Sequence, residues 1–310
     1  MVRLPAPGRG DHTGGMTGLP RRRPAIWRVC AVIWVAASPS VALAQSSSHD
    51  STEITYIGNE GFFLSHAGRG VLIDALVRRG IPPYVTASAE QRERIERAEP
   101  PFDHVQLVLA THARADHFDA AAVWRHLEYN DLAVFVSTNE AVARVVATPS
   151  TPEIDERAVA SYPETGVRDR FAVEGIDLDV LNLHGRNRQP PVQNIGFVVD
   201  IEGFRALHMG EAETTVEELL VYGLPGDSLD VAFVPFWHLT SDYGRRMIDE
   251  AIRPRRLVAM HIPSAGAAPS YFGSAGSLDS LVAQLEAGFP GIIIFREPMQ
   301  SVRVRVGSGP

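Results

Sequence analysis

At 310 residues, 45% apolar and 21% charged, the chain has ordinary globular composition and room for one large domain or two small ones. Its 29 basic residues, all arginine, are outnumbered by 37 acids. That balance argues against a nucleic-acid partner, because phosphate binding needs net cationic patches.

The first 44 residues read as an export signal. Arg21-Arg22-Arg23 and Arg28 form a positive start, an interrupted apolar core follows from Val29, and Ala42-Leu43-Ala44 is a small-x-small cleavage site. The apolar run is too short and too broken for a good spanning helix, so cleavage is expected, without stable membrane insertion of the mature chain. A periplasmic or secreted protein follows. Six of the 29 arginines and one of the 37 acids lie in the signal, so the rest carries 23 basic and 36 acidic residues, a formal charge of −13. The only cysteine, Cys30, also lies there, which removes thiols from the ligand and nucleophile candidates. Residues 45–52 are a polar linker, and 53–310 read as a single domain.

Ile54-Thr55-Tyr56-Ile57 and Gly61-Phe62-Phe63-Leu64-Ser65 read as strands joined by a turn around Gly58-Asn59-Glu60. Val71-Leu72-Ile73 is a third strand, closed by Asp74. A helix is expected over 87–98, stopped by Pro100-Pro101, and a buried strand over 105–110. Asp119 caps a helix over 119–130. A strand over 132–136 and a helix over 138–148 follow. Residues 170–183 alternate as strand around a Gly175 turn. Segments 195–201 and 204–209 pair as a hairpin through Glu202-Gly203. Helices are expected over 216–222, 243–252 and 278–287, and strands over 230–236, 256–260, 292–295 and 302–306. Composition alone gives mixed α and β.

The most informative stretch is Thr111-His112-Ala113-Arg114-Ala115-Asp116-His117-Phe118-Asp119, in the turn after the strand at 105–110. Imidazoles and carboxylates are the usual ligands for zinc in hydrolases. Downstream, His184, Glu211 in Leu207-His208-Met209-Gly210-Glu211, and His261 each follow an apolar run. A histidine after an apolar run is by itself weak evidence; here four such segments occur in one order. His66, His104, His126 and His238 fit no ligand position.

This set resembles the metallo-β-lactamase superfamily, with its His-x-His-x-Asp-His signature. Arg114 stands where that signature has its second histidine, and Glu211 where a later segment has an aspartate. The resemblance, over residues 53–310, implies an α+β fold, a four-layer αββα sandwich. It implies a first metal held through positions 112, 114 and 184, and a second held by Asp116, His117, Glu211 and His261. The first set has lost a ligand and gained a cation, since arginine offers a metal no lone pair. The second is intact, suited to zinc and compatible with manganese or iron. Asp119 would orient a ligand imidazole through its other ring nitrogen, and His208 would pack nearby without binding metal.

The leading expectation is a hydrolase with one zinc ion, two at most, for a small ester, lactone or phosphodiester-type substrate. Asp116 or Glu211 serves as base and Arg114 as anion-stabilising group. Arg186, Arg188, Trp237, Tyr243 and Tyr84 are candidate pocket residues. Two alternatives stand beside it: a dinuclear hydrolase with Arg114 swung outward, and a noncatalytic periplasmic binding protein that recognises anions through Arg114, Arg186 and Arg188.

Overall fold

Unbroken apolar runs and alternating ones build different parts of the same sheets. A computed structural model of the chain describes residues 51–149, 151–184 and 192–307, which belong to one compact unit, Ser47–Pro310. The signal-like segment, the linker up to residue 50, and Arg186 and Arg188 lie outside the described residues.

The first half contains β1 (Ser51–Gly58), β2 (Gly61–His66), β3 (Arg69–Ile73), α1 (Ala89–Glu96), β4 (Val105–Ala110) and α2 (Ala120–Tyr129). It continues with β5 (Val134–Ser137), α3 (Asn139–Val146), α4 (Pro152–Asp155) and β6 (Ala158–Ala160). Then come β7 (Arg168–Val173), β8 (Ile176–Asn182), β9 (Ile195–Ile201), β10 (Phe204–His208), α5 (Val216–Leu220) and β11 (Val231–Pro235). The last elements are α6 (Phe236–Leu239), α7 (Asp242–Arg246), which runs into a π-helical turn at Met247–Ile252, β12 (Arg256–Met260), α8 (Leu278–Gly288), β13 (Ile293–Ile294) and β14 (Ser301–Arg305).

One sheet has the order β14-β1-β2-β3-β4-β5-β6, the other β13-β12-β11-β10-β9-β8-β7. In each, an antiparallel part passes into a parallel part, at β3–β4 in the first and β10–β11 in the second. The inward residues of both sheets, among them Phe62, Leu64, Ile73, Leu109, Phe197, Ala206 and Phe233, form one buried core. The other face of the first sheet, with Phe63, Leu72, Val108 and Phe135, packs on Ile95, Val123, Leu127 and Val145 of α1, α2 and α3. Leu219, Ile248, Leu281 and Leu285 cover the second sheet. The layers are therefore helix, sheet, sheet, helix. Strands buried on both faces carry unbroken apolar runs, as Val-Leu-Ile of β3 does.

Helix starts follow local chemistry. Ser88, Asp119, Thr138, Thr215, Ser241 and Ser277 accept from backbone N–H groups at their helix N-termini. Two differences from the sequence reading are non-local. Ser51 and Thr52, assigned to the linker, are part of β1 because they pair with Arg305 and Val304 of β14. Residues 158–160, to which the sequence reading gave no element, form β6 because β5 offers them a parallel edge. Among the described residues, no helix is long and apolar enough to cross a membrane.

Candidate metal centre

The candidate residues gather where parallel strands end, the place at which α/β sheets open a crevice. The segment after β4 brings Thr111, His112, Arg114, Asp116 and His117; β3 ends on Asp74; β10 is followed by Glu211; β12 is followed by His261. Tight packing brings these ends together. Gly210, at φ 57°, lies so close to Thr111 that a Cβ there would stand 2.8 Å from the Thr111 Cβ.

Asp116, His117, Glu211 and His261 each present a ligand atom within 4.8 Å of the others, and all four are buried. His117 Nε2 and Asp116 Oδ1 are buried and have no hydrogen-bond partner. Native structures seldom leave such atoms unmatched, and a divalent cation would satisfy them. Two imidazoles and two carboxylates suit zinc, so these residues fit a metal ion.

A single carboxylate sets the ring orientations. Asp74 Oδ1 accepts from Thr111 N at 2.7 Å, and Oδ2 accepts from Thr111 Oγ1 at 2.7 Å and from His117 Nδ1 at 2.8 Å. His117 Nε2 is thereby left to face the cluster. Because the Thr111 hydroxyl donates to Asp74, it accepts from His112 Nδ1, 3.0 Å away. His112 Nε2 then carries the lone pair, buried and unpartnered, 4.0 Å from Glu211 Oε2.

Electrostatics follow from this packing. Burial opposes a charge on His117, but Asp74 and Glu60 outweigh it and hold the imidazole up to about 10 in the absence of an ion. Burial would raise the Asp74 carboxyl, but the His117 charge and hydrogen bond bring it below its usual value. Burial pushes His112 well below its ordinary value, with the His117 charge adding to it. It also lowers His261, against the pull of Glu211. Burial works to raise Glu211, yet its hydrogen bond to His261 and the nearby imidazoles hold it well below the usual carboxylate range.

Several sequence expectations change. Arg114 does not swing outward: Nη1 donates to Glu211 Oε2, and Nη2 is 3.4 Å from Asp116 Oδ2. His184 does not join His112; its side chain is 54% exposed and faces Glu218 at 3.6 Å. Asp119 orients no imidazole. It caps α2 through Ala122 N at 3.0 Å and lies 3.8 Å from Arg78, and the orienting carboxylate is Asp74. His208 lies beneath the centre, donating from Nε2 to the Glu60 carbonyl at 2.9 Å. Tyr243 is not part of the cleft wall at the centre: its hydroxyl accepts from Val216 N at 2.9 Å and so caps α5. His66, His104, His126 and His238 bond elsewhere, to Thr52, Ser65, the Ile95 carbonyl and the Ala212 carbonyl.

Sequence reasoning missed Glu60. It sits in the β1–β2 turn, fully buried, with both carboxyl oxygens unpartnered and Oε2 3.6 Å from His117 Nδ1. Burial, reinforced by neighbouring carboxylates, raises its pKa well above the ordinary value despite His117. The turn residues Gly58-Asn59-Glu60 look like surface punctuation, and nothing local marks the acid as buried.

A cleft of about 420 Å³ opens onto the centre, with Arg114, Glu211 and His261 in its polar lining and Tyr84, Phe236, Trp237 and Tyr271 among its walls. Tyr84 and Trp237 meet the His261 ring edge-on, with centroids at 4.1 and 5.0 Å.

A family model described as "Beta-lactamase superfamily domain" matches residues 53–261. The chain belongs to the metallo-β-lactamase superfamily. Its fold is shared with solved structures at low identity. Igni18, a metallo hydrolase from the hyperthermophilic archaeon Ignicoccus hospitalis, is similar at TM-score 0.55 and 17% identity over 82% of this chain and 99% of that one. YhfI of Bacillus subtilis, a metallo-β-lactamase fold protein, gives 0.55 and 11% over 82% and 99%. CmlA of Streptomyces venezuelae, a diiron β-hydroxylase, gives 0.53 and 15% over 84% of this chain and 55% of that chain. No curated protein matches the sequence.

Proposed function

We propose that this superfamily member is an exported hydrolase that works with a single zinc ion, held by Asp116, His117, Glu211 and His261, on a small ester, lactone or phosphodiester-type substrate. The observation that carries the reading is the convergence of four buried ligand residues, with His117 Nε2 and Asp116 Oδ1 left without a hydrogen-bond partner. The dinuclear alternative loses support, because His184 faces Glu218 and Arg114 points inward.

Bound there, a divalent ion would polarise a substrate carbonyl or phosphoryl group. With Oδ1 of Asp116 turned to the ion, its second oxygen, Oδ2, 3.4 Å from Arg114 Nη2, is the one to accept the proton of attacking water. Arg114 lines the cleft and engages Glu211 and Asp116 through two of its three nitrogens, leaving further N–H donors for an anionic oxygen of the substrate. Tyr84, Phe236, Trp237 and Tyr271 would exclude water and favour a compact apolar body next to the reacting group.

The experiment is elemental analysis of purified protein, combined with a screen of small esters, lactones and phosphodiesters. One zinc equivalent and turnover, both lost in His117→Ala, are expected. Absence of metal and of turnover in wild type would favour the binding-protein alternative. Export is tested by intact mass after expression with the native N-terminus in a Gram-negative host: a chain beginning at Gln45 is expected, and full-length cytosolic protein would refute it.

A further inference from the structure

Glu211 is divided between two partners. Its Oε1 lies 2.9 Å from His261 Nε2, and its Oε2 accepts from Arg114 Nη1. The same Oε2 is 4.0 Å from the unpartnered Nε2 of His112. On the His261 side stand the four clustered ligand residues. On the His112 side stand one imidazole and a guanidinium. That guanidinium also reaches Asp116 Oδ2 at 3.4 Å, so Arg114 touches both carboxylates of the donor set. Its side chain is only 24% exposed, which holds the charge at the centre and away from bulk solvent.

A cation on the His112 side would meet a permanent positive charge, because arginine does not lose its proton in proteins. The carboxylates there already have a counter-charge. We propose that Arg114 is the built-in second cation of this centre. It neutralises Glu211 and Asp116 where another ion would sit, holds the donor set together when no metal is bound, and limits the set to one ion. The Glu211 carboxylate serves this arrangement by giving one oxygen to each side. The proposal rests on the reading of the four-residue cluster as a metal site.

The test uses the mature full chain stripped with chelator, and zinc chloride as the probe. Arg114→Gln, Glu211→Gln and the double variant are melted without metal. Each single substitution is expected to lower the melting temperature by about 4–8 °C, and the double variant no further than the worse single one, because one interaction is lost. Zinc is then added and the retained equivalents are counted after gel filtration. Wild type should retain one. Arg114→Gln should gain more melting temperature from zinc than wild type does, since its carboxylates have no cation until zinc arrives. If Arg114→Gln does not fold, Arg114→Lys replaces it: one retained equivalent supports the proposal.

Two retained equivalents in wild type would overturn it. So would additive losses in the metal-free melts, or an Arg114→Gln protein that melts and responds to zinc as wild type does. If no variant and no wild type retains zinc, the metal reading falls. The metal-free melts then still decide whether Arg114 is the counter-cation of Glu211.

Discussion

Asp74→Asn isolates the carboxylate that orients the centre. The substitution keeps shape and leaves Oδ1 to accept from Thr111 N, now at 2.7 Å. The amide nitrogen takes the place of Oδ2, which accepts from both Thr111 Oγ1 and His117 Nδ1. The threonine hydroxyl can reverse its role. The imidazole cannot do so without moving its proton to Nε2, the atom that must stay bare to bind a cation. A hydrogen bond to a charged group contributes about 1.5–3 kcal/mol. Spent on stability, that loss shifts the melting temperature by about 3–12 °C for a domain of this size. Spent on metal affinity, it matches the 10- to 100-fold loss, about 1.4–2.8 kcal/mol, typical when a ligand histidine loses its supporting carboxylate. Zinc affinity is measured by competition with a chromophoric chelator, and metal-free stability by urea unfolding. Asp119→Asn is the control. Asparagine also caps helices well, so that variant should keep wild-type affinity and nearly wild-type stability. If Asp74→Asn binds zinc within about twofold of wild type, or if Asp119→Asn weakens binding as much, the assignment of the orienting role to Asp74 is refuted.

Protonation gives the next prediction. The imidazole of His117 is raised from 6.5 to about 10, so its contribution to the metal-free protein is complete below pH 6.5 and is lost as pH rises through 10. Urea midpoints of stripped protein should decline across that window, and zinc uptake within it should release about one proton, read by calorimetry in buffers of contrasting ionisation enthalpy. His126 has the opposite sign. Burial lowers it to about 4, so its contribution is present above pH 6.5 and lost as pH falls through 4, and His126→Gln should flatten that acid limb. His184→Ala should leave zinc content unchanged by elemental analysis, since the side chain is exposed and outside the cluster; loss of the metal would restore the first-site reading. Gly244→Ala would place a Cβ 1.5 Å from the His238 carbonyl oxygen, and the forced backbone shift should cost about 1–3 kcal/mol in urea unfolding; a neutral result would mean that the α6–α7 junction yields freely.

Sequence by itself determined most of the elements and the order of the candidate ligands. Apolar runs at 105–110 and 256–260 marked strands, Asp119 and Thr138 marked helix starts, and polar residues just past apolar runs marked Asp116, His117, Glu211 and His261. These are local signals, because burial period, capping and strand termination act within a few residues. Tertiary structure decided what those residues face. Asp74 and Glu60 reach His117 from β3 and from the β1–β2 turn, more than forty positions away in sequence. Arg114 turns inward because Glu211, arriving from β10, accepts its proton donors. His184 turns toward Glu218, and the Tyr243 hydroxyl goes to an α5 amide, because partners brought by other elements satisfy them first. Hydrogen bonds and charges depend on distance in space, and sheet pairing sets that distance without leaving a mark in the neighbouring residues.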